Sequence, residues 1–255
     1  MTKQTTFYLA FAGLLAMLVL YVLTNLGYLG PNPIGRTSRD TEPLIVPAGY
    51  AFAIWGPIYL GLIGFPILNF IKRVNRKHEL WSKVRTWYAL NVVANGIWLA
   101  FASYSWQWLT VLVISFMLYS LFRINELLIA LKEAGQTVNF WGERLVFSLY
   151  FAWVTLATAL NVSSALHFYE WAGFGLSEVT WSLIILPAVA LVAGAILLKY
   201  RDAAFGGVVV WAFLAIAVRH WGTIPSIAYL SVGVAALFLI LIFSKGKQLS
   251  TVSVV

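Results

Sequence analysis

The 255-residue chain is 61% hydrophobic and only 10% charged, which excludes an ordinary water-soluble domain and points to repeated crossing of a lipid bilayer. Cysteine is absent, so disulfides, thiolate metal sites and cysteine nucleophiles are excluded. The net charge of +8 raises nucleic acid as a partner, a question that the location of the charges answers.

In chain order, apolar runs long enough to span are predicted over Phe7–Tyr28, Tyr50–Ile71, Val84–Ser103, Trp106–Ala130, Leu145–His167, Val179–Leu198, Phe205–Val218 and Ile224–Phe243. The seventh is the shortest and needs tilt, local thinning or extension to Trp221. The first follows Lys3 but lacks a clear small-residue cleavage site, so it reads as a retained helix.

Lys72, Arg73, Arg76, Lys77, Lys83 and Arg85 crowd the link between the second and third helices. With that link in the cytoplasm, Lys3, Lys132, Arg144, Lys199, Arg201, Lys245 and Lys247 fall on the same side. The other side receives Arg36, Arg39 and Arg219 beside Asp40, Glu42, Glu170 and Glu178. This asymmetry predicts both termini in the cytoplasm, which requires an even number of spans and favours eight. Topology and anionic lipid therefore account for the basic residues, and nucleic acid is not expected as a partner.

The loop Leu29–Gly49 carries Pro31, Pro33, Pro43 and Pro47, and a stiff loop above the second helix would serve as a lid or as a plain connector. The second helix opens on PAGYAFAIWGPIY, where Phe52, Trp55 and Tyr59 fall at i, i+3 and i+7. Such rings suit a pocket wall that also orients a ligand, and equally an interfacial aromatic belt. Pro57 predicts a bend here.

On the third helix Asn91, Asn95 and Trp98 share a face that should point into the bundle, because an unpaired amide in lipid is costly. On the fifth, Trp153, Ala157 and Asn161 form one stripe, with room beside the small residue for a flat ligand or for a packed neighbour. The three stripes should lie at similar depth, the usual setting of a mostly apolar cavity with a few polar groups. On the fourth helix, Arg123 and Glu126 read as an ion pair easing insertion.

These residues resemble the translocator protein family, the tryptophan-rich sensory proteins (TspO). Pro47, Ala48, Tyr50, Phe52, Trp55 and Tyr59 are similar to the family's second-helix signature, with Tyr50 where a Trp is usual. Asn95-Gly96-Ile97-Trp98 resembles its third-helix N-x-x-W. Tyr150, Trp153, Ala157 and Asn161 resemble its fifth-helix Y-x-x-W-x-x-x-A-x-x-x-N. The resemblance covers about residues 7–167. It implies a five-helix unit binding tetrapyrroles such as protoporphyrin IX or haem, or sterols and other flat apolar ligands. Members act as transporters or as sensors of porphyrin stress, and sometimes as catalysts of porphyrin photo-oxidation. Two features depart from the pattern: the Leu29–Gly49 loop has no Trp, and about three further helices follow.

The expected fold is therefore an all-α polytopic membrane helix bundle. Residues 1–167 would form the ligand-binding unit and residues 168–255 an extension that stabilises it or binds a partner. The candidate ligand-binding residues are Tyr50, Phe52, Trp55, Tyr59, Asn91, Asn95, Trp98, Trp153, Ala157 and Asn161. No cofactor is required by this reading; a tetrapyrrole would be the ligand, with the lipid membrane and a second copy of the chain as partners. In the extension, Pro187 suggests a bent sixth helix, and Ala190 with Gly194 suits close packing. His220 after Arg219, and His167 near Glu170, are chemically able to ligate haem iron, although a lone interfacial histidine is more often just hydrated. No metal site is assigned to them. Catalysis has little support: HExxH, C-x-x-C, phosphate-loop and nucleophile-elbow patterns are missing, and every lysine lies outside the spans, which excludes a retinal Schiff base. The alternative reading is a secondary transporter of another small metabolite using the same cavity, although neither an internal repeat nor a deep coupling charge is evident.

Overall fold

A computed structural model describes residues 3–31 and 42–244. Pro33, Arg36, Arg39 and Asp40 of the expected lid, and Lys245 and Lys247 of the charge pattern, lie outside the described residues. Eight α-helices account for most of the described residues: α1 Lys3–Asn25, α2 Trp55–Ile71, α3 Glu79–Ser103, α4 Gln107–Glu133, α5 Leu145–Phe168, α6 Glu178–Tyr200, α7 Ala203–His220 and α8 Pro225–Ser244. Seven helical segments among the described residues are long and apolar enough to cross a membrane, and α3 is the exception. It is 25 residues long but carries Glu79, Lys83, Arg85, Asn91 and Asn95, and it buries twelve of its residues against protein. A helix enclosed by its neighbours need not be apolar all round. The protein is thus an integral, multi-pass, all-α membrane bundle. The short seventh span resolves by extension: α7 has 18 residues, about 27 Å at 1.5 Å per residue, close to the hydrocarbon thickness.

The start of α2 differs from the expectation. Gly49–Ile54 forms a 3₁₀ helix, and the α-helix begins only at Trp55. Tyr50 and Phe52 therefore precede α2 and do not belong to its face. Pro57 lies in the first α-helical turn, where backbone N–H groups have no intrahelical acceptor, so the change of helix type falls ahead of it. The proline that interrupts the helix is Pro66. Its missing N–H frees the carbonyl of Leu62, four residues earlier, and Tyr88 of α3 donates its hydroxyl to that oxygen at 2.7 Å.

The chain divides into two compact units. The first comprises Met1–Ser38 and Gly56–Val154, and the second Arg39–Trp55 and Thr155–Val255. In the first, α1 packs along α3 and α3 along α4. The α1–α3 approach needs glycine: a Cβ on Gly13 would lie 2.9 Å from the Ala89 carbonyl oxygen, and one on Gly96 would lie 2.7 Å from the Leu20 side chain. Phe65, Tyr88 and Phe147 fill the interior, with ring centroids 4.8 and 4.9 Å from Phe65. In the second unit α7 packs on α8, and α6 on both. The 3₁₀ segment rests on α7, where Ala48 N donates to Ala215 O and Trp211 Nε1 donates to Ala51 O, each at 3.1 Å. Arg219 Nη1 continues the seam with bonds to Glu42 Oε2 at 2.8 Å and Val46 O at 3.3 Å. Ser177 and Asp202 cap α6 and α7 by accepting from Thr180 N and Phe205 N.

A buried ion pair closes one end of the first unit. Glu143, in the π-helical turn Phe140–Arg144 that leads into α5, accepts from Arg76 Nε and Nη2 at 3.0 and 2.9 Å. Asn69 Nδ2 and Asn139 N also donate to it, at 3.0 and 2.6 Å. Arg76 is 2% exposed and Glu143 0%. Glu143→Ala would leave Arg76 buried without its counter-charge, a loss of typically about 3–5 kcal/mol. Its thermal unfolding midpoint in detergent should fall steeply, whereas Glu133→Ala, at an exposed helix end, should match the parent.

Candidate functional site

Sequence reasoning placed aromatic and amide groups on three helices at one depth, and the first unit brings part of that set together. Asn95 is fully buried on α3. Its Oδ1 accepts from the Tyr59 hydroxyl of α2 at 3.3 Å, and its Nδ2 donates to the Tyr150 hydroxyl of α5 at 2.7 Å. A single amide thus joins α2, α3 and α5. An amide suits the position because it accepts on one atom and donates on the other. Tyr21 of α1 adds a ring 5.7 Å from that of Tyr59, edge on. Trp98 follows one turn beyond Asn95 and is half-buried.

Asn91 has a different assignment. It is buried on α3, but its Nδ2 donates to Met117 O and Ser120 Oγ of α4, at 3.2 and 2.7 Å. It fastens α3 to α4, and its Oδ1 has no partner among the described residues. One helical turn is enough to send two asparagines to different neighbours.

On α5, Trp153 is 3% exposed, while Ala157 and Asn161 are half-buried. Asn161 Nδ2 donates back to Ala157 O at 2.8 Å, one turn earlier on the same helix. Tyr50 is exposed and meets Trp211 of α7 edge to face at 5.2 Å. Phe52 is likewise exposed, and Trp55 is half-buried.

The second unit holds a cavity of about 550 Å³ whose lining includes none of these ten residues. It opens where α5 ends and α6 begins, with the chain at Pro43–Ile45 as one wall. Its aromatic lining is Phe168, Trp171 and Trp181, and its charged lining is His167, Glu170 and Glu178. His167 Nδ1 and Glu178 Oε1 are 2.7 Å apart. His167 and Glu170 were visible in the sequence as a pair at the end of the fifth helix. Glu178 and Trp181 were not linked to them, although the turn-forming Ala172–Ser177 stretch between two apolar runs signals that the two helix ends are neighbours. Among the described residues no group of three His, Cys, Asp or Glu side chains could hold a metal ion.

Asn95 is the most exposed to test. Replacing it by Leu would remove the amide that Tyr59 and Tyr150 share, and a lost buried hydrogen-bond partner typically costs about 1–3 kcal/mol. Asn95→Leu should therefore lower the unfolding midpoint in detergent more than Tyr59→Phe, which removes one donor and leaves the Asn95–Tyr150 bond in place.

A family model described as TSPO-like protein aligns with residues 7–244. No curated protein and no solved structure matches the chain.

Proposed function

From the premise that the chain belongs to the TSPO-like protein family, its match running through all eight helices, we propose that it binds a tetrapyrrole or a similarly flat, apolar ligand within the membrane. The face of α5 carries this reading. Trp153 offers a wide ring, Ala157 a shallow place beside it, and Asn161 an amide one turn further on. Ala157 is only half-buried, so the helix itself leaves space at that residue. The Asn95 node bears on the same reading by fixing Tyr59 and Tyr150, which orients α2 and α5 within the first unit. Ligand entry would then alter the packing of a preformed bundle, as a sensor or a transporter requires.

Ala157→Leu adds three carbon atoms where the flat ligand would lie. Overpacking of this kind costs about 1–3 kcal/mol, and 1.4 kcal/mol is tenfold in affinity. Titration of the detergent-purified protein with protoporphyrin IX or haem should show at least a several-fold loss for Ala157→Leu. Trp153→Phe should keep most affinity while losing most of the ligand-induced fluorescence quenching. Val192→Leu, at an exposed position on α6, should bind as the parent does. Equal affinity for the parent and Ala157→Leu would remove α5 from the site.

The proposed orientation, with both termini cytoplasmic, rests on the basic link between α2 and α3. The chain has no native cysteine, so single introduced thiols report cleanly. In intact cells a cysteine at exposed Lys77 should be shielded from an impermeant thiol reagent, and one at Phe174, 85% exposed, should label. Labelling at Lys77 and protection at Phe174 would invert the topology.

A further inference from the structure

The cavity of the second unit has a chemistry of its own, independent of the tetrapyrrole reading. Among the described residues, Glu170, Glu178 and His167 are the ionisable side chains of its lining, to which no described Lys or Arg contributes. The Glu178 carboxylate oxygen Oε1 lies 2.7 Å from His167 Nδ1. The Glu170 carboxylate has no hydrogen-bond or ionic partner among the described residues, its backbone N–H donating to His167 O at 3.1 Å.

Phe168, Trp171 and Trp181 line the same cavity as these carboxylates. The rings of Trp171 and Trp181 are 5.1 Å apart, and Trp181 is fixed by donating its Nε1 to Gly173 O at 2.8 Å. Gly173 permits this approach: its φ is +60°, and a Cβ there would stand 3.0 Å from Trp181 Nε1. Glu170 also holds a left-handed backbone, φ 51°, two residues past the end of α5. The opposite wall at Leu44 is tied down as well, since its carbonyl oxygen lies 2.6 Å from His220 Nε2 of α7. The cavity is thus preformed, and its volume lies within the range of small-molecule sites.

We propose that this cavity binds a monovalent organic cation with a compact apolar or aromatic body, its charge beside the Glu170 carboxylate and its body against Trp171 and Trp181. Carboxylate plus indole is the pairing that recognises alkylated ammonium groups, because both present negative potential and the ring also shields apolar carbon from water. A hydrated inorganic cation would gain nothing from the indoles. A tetrapyrrole acid would bring its own carboxylates against Glu170 and Glu178, so the two ligand classes do not compete for this place.

Isothermal titration of the full-length protein in maltoside detergent tests the proposal, with benzyltrimethylammonium as probe. Benzyl alcohol serves as the neutral comparison and benzenesulfonate as the anionic one. Saturable binding of the cation, with the other two at least about tenfold weaker, is the expected result. Glu170→Gln keeps the size of an exposed, unpartnered side chain and so should fold normally, yet should weaken the cation about tenfold. Trp171→Leu should weaken it to a similar degree, while protoporphyrin affinity stays at the parent value in both variants. Absence of cation binding, equal binding of benzyl alcohol, or parental cation affinity in Glu170→Gln would each overturn the proposal. Failure of the α5 test with success here would separate the two sites.

Discussion

The four hydrogen bonds received by the Glu143 carboxylate are the constraint from which the first unit is organised. Their donors come from the end of α2, from the link before α3 and from the loop before α5. A carboxylate removed from water needs its charge and lone pairs met, and here both requirements are satisfied by groups far apart in sequence. Asn69 does double service, because its Oδ1 faces Arg85 Nη1 at 3.5 Å while its Nδ2 serves Glu143. Arg85 brings in α1, donating to Thr6 Oγ1 at 2.9 Å with its guanidinium 3.8 Å from the Phe7 ring centre. Four helices are thereby registered at one end by a few directional contacts. Apolar packing in a lipid environment cannot set register alone, since lipid tails compete with side chains on equal terms.

This network also marks a limit of sequence reading. Arg76 and Arg85 look like members of the basic cluster that sets orientation, and by composition they belong to it. Nothing local indicates that they turn inward, or that Arg76 selects a glutamate 67 positions later. The helices themselves were legible, because each needs only a local property: a long apolar run, a capping residue, a turn. The burial of Asn91 and Asn95 was equally legible, since lipid exposure of an amide is too costly to sustain. Their separate destinations were not, because partner choice depends on which neighbouring helix lies closest.

Proline illustrates the same division. Pro57 and Pro66 both fall in the apolar run of α2, and the bend expected from sequence was at Pro57. In the fold Pro57 falls in an opening turn that lacks acceptors anyway, while Pro66 frees a carbonyl in mid-helix. Tyr88 answers that carbonyl from α3, and it is fully buried for that reason. Membrane helices accept proline under this condition: the freed oxygen must find a donor on a neighbouring element. A tyrosine on one helix and a proline on the next are therefore one feature, though they lie 22 positions apart.

The second unit solves a different problem, that of holding irregular backbone against a helical scaffold. The 42–54 segment has few internal hydrogen bonds to offer its peptide groups, so α7 supplies partners along its length: Trp211 and Ala215 at one level, Arg219 and His220 at the next. Three of those four positions, Trp211, Ala215 and Arg219, recur at i+4, which places them on one face of α7. The stiffness expected of a proline-rich loop thus has two sources, restricted backbone angles and a helix face that matches its polar groups. Because Leu44 and Ile45 also wall the cavity, the same seam that satisfies the loop's backbone fixes the shape of the space beside α5 and α6. A site whose walls are held this way gives up little conformational entropy when a ligand enters, and that lets a few contacts discriminate by charge.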